Sequence, residues 1–225
     1  MSSLLAIVAT TRLIPQDIED HTVYTVLAKP VPKFEYLLGK LLGVLALLAI
    51  SLAVMTALFA VVFYTREQSV FNETAGQMTS APPEQLIDAL NHIRASGLSN
   101  DVFLGIAVIF LKACLLAALT LFVSTFATTN VFTVVVMVAV YFIGHLESTA
   151  REYWLAQQST GWIAKTFLAV VALLFPDLQA FNLVDQIVAG AAIPIALFAK
   201  TALLGVFYIV IYTLAATFAF YGKEL

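Results

Sequence analysis

Charge is scarce in this chain: Asp, Glu, Lys and Arg make up 11% of its 225 residues, against about 25% in soluble domains. Its single cysteine, Cys114, lies inside an apolar run, which excludes an internal disulfide and any cysteine-based zinc pattern. No cluster of lysines and arginines is dense enough to attract nucleic acid, and the formal net charge is −3. Catalytic motifs are missing as well. There is no Gly-x-x-x-x-Gly-Lys-Ser/Thr phosphate loop, no His-Glu-x-x-His pair and no Gly-x-Ser-x-Gly elbow, and Ser51 and Ser124 have no base placed for them. The chain therefore reads as a non-enzyme without a cofactor, and it cannot itself hydrolyse ATP. Met55 and Met137 stand alone, so the soft ligands that copper needs are absent. No internal repeat or low-complexity tract is visible beyond the apolar bias.

What is present in excess is hydrophobicity, at 61% of the chain, against a usual 45–50% or about that. A bilayer crossing takes about 20 apolar residues, and Leu41 to Tyr64, Val102 to Val123 and Thr201 to Phe220 each meet that length. Thr129 to Leu146 is just long enough. Ile163 to Phe175 has thirteen residues, too few to cross, and reads as a re-entrant piece. Met1 to Ala9 offers half a span with neither a basic start nor a small-residue cleavage site, so it reads as the tail of a helix whose beginning is missing rather than as a signal peptide. The expected fold is an all-α polytopic membrane protein of about five transmembrane helices, one of them partial, forming a single domain over residues 1–225.

Thr11 to Lys40 interrupts this apolar sequence and carries four of the eleven basic residues, Arg12, Lys29, Lys33 and Lys40. Pro15 suits the first turn of a helix, and Asp17, Glu19 and Asp20 follow where the helix dipole favours carboxylates. Ile18, Val23, Val26 and Leu27 gather on one face, and Pro30 and Pro32 forbid continuation. The spacing predicts a short amphipathic helix lying on the membrane surface. The positive-inside rule puts residues 11–40 in the cytoplasm, 65–101 outside, and 147–197 outside with the re-entrant segment included. In this scheme the last helix ends inside with Lys223, while Arg151, Lys165 and Lys200 fall outside, against the rule. Within 65–101, Pro82 to Gly97 reads as a lid or membrane-lying helix with Leu86, Ile87, Leu90 and Ile93 on one face.

Three ordered series carry a resemblance: Ile-Pro-Gln-Asp-Ile-Glu at 14–19, Thr-Val-Tyr-Thr-Val-Leu-Ala-Lys-Pro-Val at 22–31, and Phe34-Glu35-Tyr36-Leu37-Leu38-Gly39-Lys40. They resemble the permease subunits of type-2 ABC transporters, in the branch associated with multicopper-enzyme maturation. Phe175-Pro176-Asp177-Leu178 with Phe181-Asn182-Leu183 is similar to that family's leucine- and proline-rich stretch before its last helix. The resemblance implies a six-helix half-transporter of the bacterial cytoplasmic membrane that pairs with a like or unlike permease and couples to a separate ATPase. Pro15 to Leu27 would then be the coupling helix, with Pro15, Asp17, Ile18, Glu19, Val23, Tyr24 and Leu27 at the contact. The first family helix is absent and the second is reduced to Leu4 to Ala9, so the alternative is a non-transporting structural or assembly protein, a truncated permease remnant.

Lys112 falls about 15 Å into a helix counted from Val102. It is read either as a contact in a substrate path or helix seam, or as a lysine snorkelling from a helix that starts later. Gly39, Gly43, Ala46, Ala53, Ala57 and Ala60 form a small-residue stripe expected to pack closely against another helix of this chain or of a second copy. His145, beside Gly144 and near Glu147, reads as an interfacial histidine rather than a metal site, because one histidine is not a site. Asn72 to Thr74 matches a glycosylation acceptor, a pattern short enough to occur by chance.

Overall fold

The computed structural model describes residues 2–11, 32–77, 100–127, 129–156, 166, 176–182 and 194–222. Five helices hold nearly all of them: α1 (Ser2–Thr11), α2 (Lys33–Gln77), α3 (Asn100–Phe126), α4 (Asn130–Ala156) and α5 (Ile195–Tyr221). Among the described residues there is no strand. Three helical stretches, Lys33–Thr74, Val102–Phe126 and Ile195–Tyr221, are long and apolar enough to cross a membrane, and Asn130–Leu146 is a shorter apolar stretch.

Every helix is longer than its apolar run. α2 begins at Lys33 rather than Leu41 and continues past Tyr64 to Gln77. The first part of the segment expected as an outer loop is therefore helix. α4 likewise runs on from Leu146 to Ala156. Backbone hydrogen bonds do not stop where hydropathy stops, and Lys, Arg, Glu and Gln are good helix formers. At about 1.5 Å per residue, the 45 residues of α2 make a rod about 67 Å long, against a hydrocarbon core of about 30 Å.

Sequence explains the helix starts. Pro32 and Pro194 each precede a helix and offer their carbonyls to the first free amides: Glu35 and Tyr36 donate to Pro32, and Leu197 and Phe198 to Pro194. Thr129 caps α4 with its hydroxyl, which accepts from the Phe132 amide at 3.4 Å.

α3 is the centre of the bundle and touches each of the other four helices. Every residue from Lys112 to Leu121 is buried, as a helix apolar on all sides requires. Its hydroxyls are satisfied within the helix: Thr120 donates to the Leu116 carbonyl at 2.6 Å and Ser124 to that of Leu121 at 2.8 Å. α2 contributes Leu37, Leu41, Val44 and Leu48 to the core, and no described residue of α2 beyond Leu48 is buried. Ile50, Val54, Leu58 and Val61 are among the large apolar side chains left exposed on its outer half.

Two antiparallel pairings and one parallel pairing define the topology. Leu48 and Ser51 share a cavity with Phe110 and Ala113, and Ala53, Ala57 and Ala60 line a groove with Phe103, Ile106 and Ala107. α2 and α3 are therefore antiparallel. The three-residue link from α3 to α4 makes those two antiparallel as well. In contrast, Gly205 meets Leu111 and Tyr212 meets Phe122, so α3 and α5 run parallel. Consequently α5 ends where α2 begins: Lys33 Nζ lies 5.8 Å from the Phe220 ring centroid and 5.6 Å from that of Tyr221, and the Tyr36 and Phe220 rings stack at 6.0 Å. It also follows that α4 ends and α5 begins at the opposite end. Ser2 and Leu5 reach the level of Leu48 to Met55.

Candidate functional site

The most unusual position for a charge is Lys112, near the middle of α3 and only 9% exposed. α3 starts at Asn100, two residues before Val102, while its apolar span still begins at Val102, so Lys112 stays about 15 Å along that span. A lysine at the centre of a crossing helix costs about 2.5–3.5 kcal/mol on insertion scales, which makes its neighbours informative.

Those neighbours come from α4 and from the strap at residues 176–182. Lys112 Nζ lies 6.0 Å from the centroid of the Tyr141 ring, at the outer reach of a cation–π contact. Tyr141 and His145, one turn apart on α4, have ring centroids 4.7 Å apart. His145 Nδ1 is buried and lies near the Tyr141 carbonyl without closing a hydrogen bond of normal geometry. Asp177 is brought to this end of α4 by the strap, whose Leu178 and Gln179 donate to the Gly144 and His145 carbonyls. An ammonium, a phenol, an imidazole and a carboxylate from three separate stretches of chain thus share one neighbourhood.

The strap is fixed by backbone geometry. Asp177 Oδ1 accepts from the amides of Gln179 at 2.9 Å and Ala180 at 3.3 Å, an aspartate turn, and the Asn182 amide donates to the Gln179 carbonyl at 2.8 Å. This tight turn presents Leu178 and Phe181 to the bundle, where they are 1% and 3% exposed. The Leu178 amide donates to the Gly144 carbonyl at 3.0 Å, and Gln179 Nε2 donates to the His145 carbonyl at 2.8 Å. A Cβ on Gly144 would stand 2.9 Å from Leu178 Cδ1 and 3.1 Å from the Pro176 carbonyl oxygen. Only glycine leaves the strap room to seat there.

A Cβ on Gly39 or Gly43 would meet nothing within 4 Å, and Gly39, Gly43, Ala46, Ala53 and Ala57 are all exposed. Among the described residues the stripe therefore meets no helix closely at Gly39 and Gly43, while Ala53, Ala57 and Ala60 line the groove shared with α3. Close approach occurs at Gly144 and Gly205 instead. Thr201, four residues before Gly205 and also buried, completes a small-x-x-x-small spacing that is visible in the sequence.

Pro15, Asp17, Ile18, Glu19, Val23, Tyr24 and Leu27 lie outside the described residues, as does the helix expected over Pro82 to Gly97 and, apart from Thr166, the re-entrant segment Ile163 to Phe175. Among the described residues no group of three His, Cys, Asp or Glu side chains gathers to hold a metal. Two further polar atoms on α4, Asn130 Oδ1 and Thr133 Oγ1, are buried without a hydrogen bond among the described residues. Comparison of the chain with protein-family models, with curated proteins and with solved structures finds no match.

Proposed function

We propose that this chain is the membrane-spanning permease subunit of an ABC-type transporter, driven by a separate ATPase and working as a pair of permeases in the cytoplasmic membrane. What supports the reading is the sequence of residues 11–40, whose ordered series resemble a coupling loop, together with Lys33 and Lys40 at the start of α2, at the end of the bundle that also receives the end of α5. That segment holds the resemblance to a coupling helix, with Ile18 and Val23 on its apolar face. An amphipathic helix docks by laying such a face into an apolar groove on its partner. The basic end is the cytoplasmic end by the positive-inside rule, which is where a soluble ATPase would sit. Three helices of crossing length support the membrane assignment, and the charged cluster around Lys112 suits the inside of a transporter, where intramembrane charges serve substrate paths or moving seams.

The test is Ile18→Asp, assayed with a phosphate-loop ATPase sought among the products of neighbouring genes. The variant is expected to lose capture of the ATPase and transport-coupled hydrolysis in vesicles while keeping the wild-type melting profile. Normal capture with unchanged transport refutes the coupling role. Capture of the ATPase by the wild type without transport of any substrate favours an assembly protein instead.

A further inference from the structure

We propose that the cavity enclosed by α1, α2 and α3 holds one acyl chain of a membrane phospholipid, which enters along the open groove between α2 and α3. The cavity has a volume of about 330 Å³, within the range of about 300–1,000 Å³ usual for ligand pockets. Leu5 of α1, Leu48, Ser51 and Met55 of α2, and Phe110 and Ala113 of α3 close it in. The groove, with a volume of about 520 Å³, continues from the cavity because Leu52 and Phe110 line both, and it runs past Ala53 and Ala57 to Ala60.

Three features of this space select a hydrocarbon chain. The first is chemistry. Among the described residues no charged or histidine side chain lines either part, and the polar groups there are the hydroxyls of Ser2, Ser51 and Thr56. A charged occupant would lose its hydration without compensation. The second is shape. Leu48 to Ala60 covers about 18 Å of α2, and an extended chain gains about 1.2 Å per single bond, by the geometry that gives a polypeptide about 3.6 Å per three-bond residue. About fifteen bonds therefore fit end to end, on the order of the 15 Å that one leaflet of a core about 30 Å thick provides. The third is depth. Phe110 and Ala113 lie about 12–17 Å into the apolar span that begins at Val102, so the enclosed end sits near the bilayer middle, where acyl chains terminate. The first charges on α2 beyond the groove are Arg66 and Glu67, about two turns past Ala60, at the level of a phospholipid's charged end.

Packing holds the chain in place, because the surrounding lipid tails are as apolar as the lining and supply no hydrophobic drive. An unfilled cavity would forfeit the dispersion contacts of the atoms around it, and α2 does not close the space itself, since no described residue of it beyond Leu48 is buried. The inference rests on the membrane-crossing helices and does not depend on transport.

The experiment places the purified chain in phosphatidylcholine vesicles doped with a phosphatidylcholine that carries a diazirine at the end of one acyl chain. Light is expected to attach the probe to Leu48, Phe110 or Ala113. Leu48 and Ala113 are 3% and 2% exposed, beyond the reach of lipid on the outer surface. Ser51→Phe fills the cavity and Ala53→Phe blocks the groove from an exposed position, and each is expected to abolish that labelling. Val54→Phe, at a position that lines neither space, should retain it. Labelling confined to outward residues such as Val54 and Leu58 overturns the proposal, and so does wild-type labelling of the cavity in Ala53→Phe, even if Ser51→Phe fails to fold. Vesicles doped instead with a diazirine fatty acid separate the two sources of such a chain: cavity labelling by the free acid alone overturns the phospholipid assignment. In Ala53→Cys with Cys114→Ala, a disulfide joining two copies would put a second copy on the groove and overturn the assignment as well.

Discussion

Replacing Gly205 by alanine should loosen the α3–α5 seam, and the structure gives the size of the effect. The added Cβ would stand 2.6 Å from Leu111 Cδ2, 2.7 Å from Leu111 Cγ and 3.0 Å from Phe181 Cε1. Carbon atoms at rest against each other keep about 3.5–4.0 Å, so the overlap is roughly 1 Å. Two of the three clashing atoms belong to one leucine held between helices, which leaves little freedom to yield. Overpacking of this kind costs about 1–3 kcal/mol, offset by about 0.5–1 kcal/mol because alanine suits a helix better than glycine. A net loss of about 1–2 kcal/mol follows, which lowers Tm by roughly 2–8 °C for a chain of this length. The assay is thermal unfolding in detergent, with Gly39→Ala and Gly43→Ala as controls. Neither control introduces a contact within 4 Å, so both should melt at or slightly above the wild-type temperature. Leu111→Ala should recover part of the loss when combined with Gly205→Ala, because it removes the atoms that clash. A Gly205→Ala protein as stable as its controls, or a double variant that simply adds two losses, would refute the close parallel packing of α3 and α5.

Orientation is checked by labelling in a Cys114→Ala background. A cysteine at Gln77, at the far end of α2, should react with an impermeant maleimide from outside, and one at Gln16 only after permeabilisation; the reverse pattern inverts the scheme. Because α4 ends and α5 begins at the same end of the bundle, a cysteine at Gln186 should label from outside and one at Leu225 from inside. Internal Gln186 with external Leu225 would mean that Ile163 to Phe175 crosses, ending its reading as a re-entrant piece.

Much of the helical architecture was legible because crossing-length apolar runs have few other uses. Their limits were not, since hydropathy detects the part of a helix that suits lipid and says little about Arg66 to Gln77, where polar helix formers extend α2. Lys112 declared itself by depth alone, but its company did not. Tyr141 and His145 share a helix face at a spacing of four, a signal that was available, whereas Asp177 reaches the cluster through a strap that folds back onto α4, and no local pattern announces such a return. The glycines teach a similar lesson. Gly39 and Gly43 have the spacing of a packing motif and meet nothing within 4 Å among the described residues, because spacing defines a face without supplying a partner. Gly144 and Gly205 matter because of what lands on them, Leu178 and Leu111, and both contacts join residues distant in the chain.

The parallel course of α3 and α5 also sets an order of assembly. Antiparallel neighbours such as α3 and α4 can pair as soon as both have been synthesised, since a three-residue link already holds them together. The α5-facing side of α3, including Leu111 and Phe122, has to wait until the strand of synthesis has passed through 157–194 and produced Gly205 and Tyr212. For that interval the most buried helix of the finished protein presents an open flank to its surroundings. Cellular surveillance of unassembled membrane segments would therefore meet this chain at its most vulnerable between completion of α4 and arrival of α5, and a ribosome pausing within 157–194 would prolong that exposure.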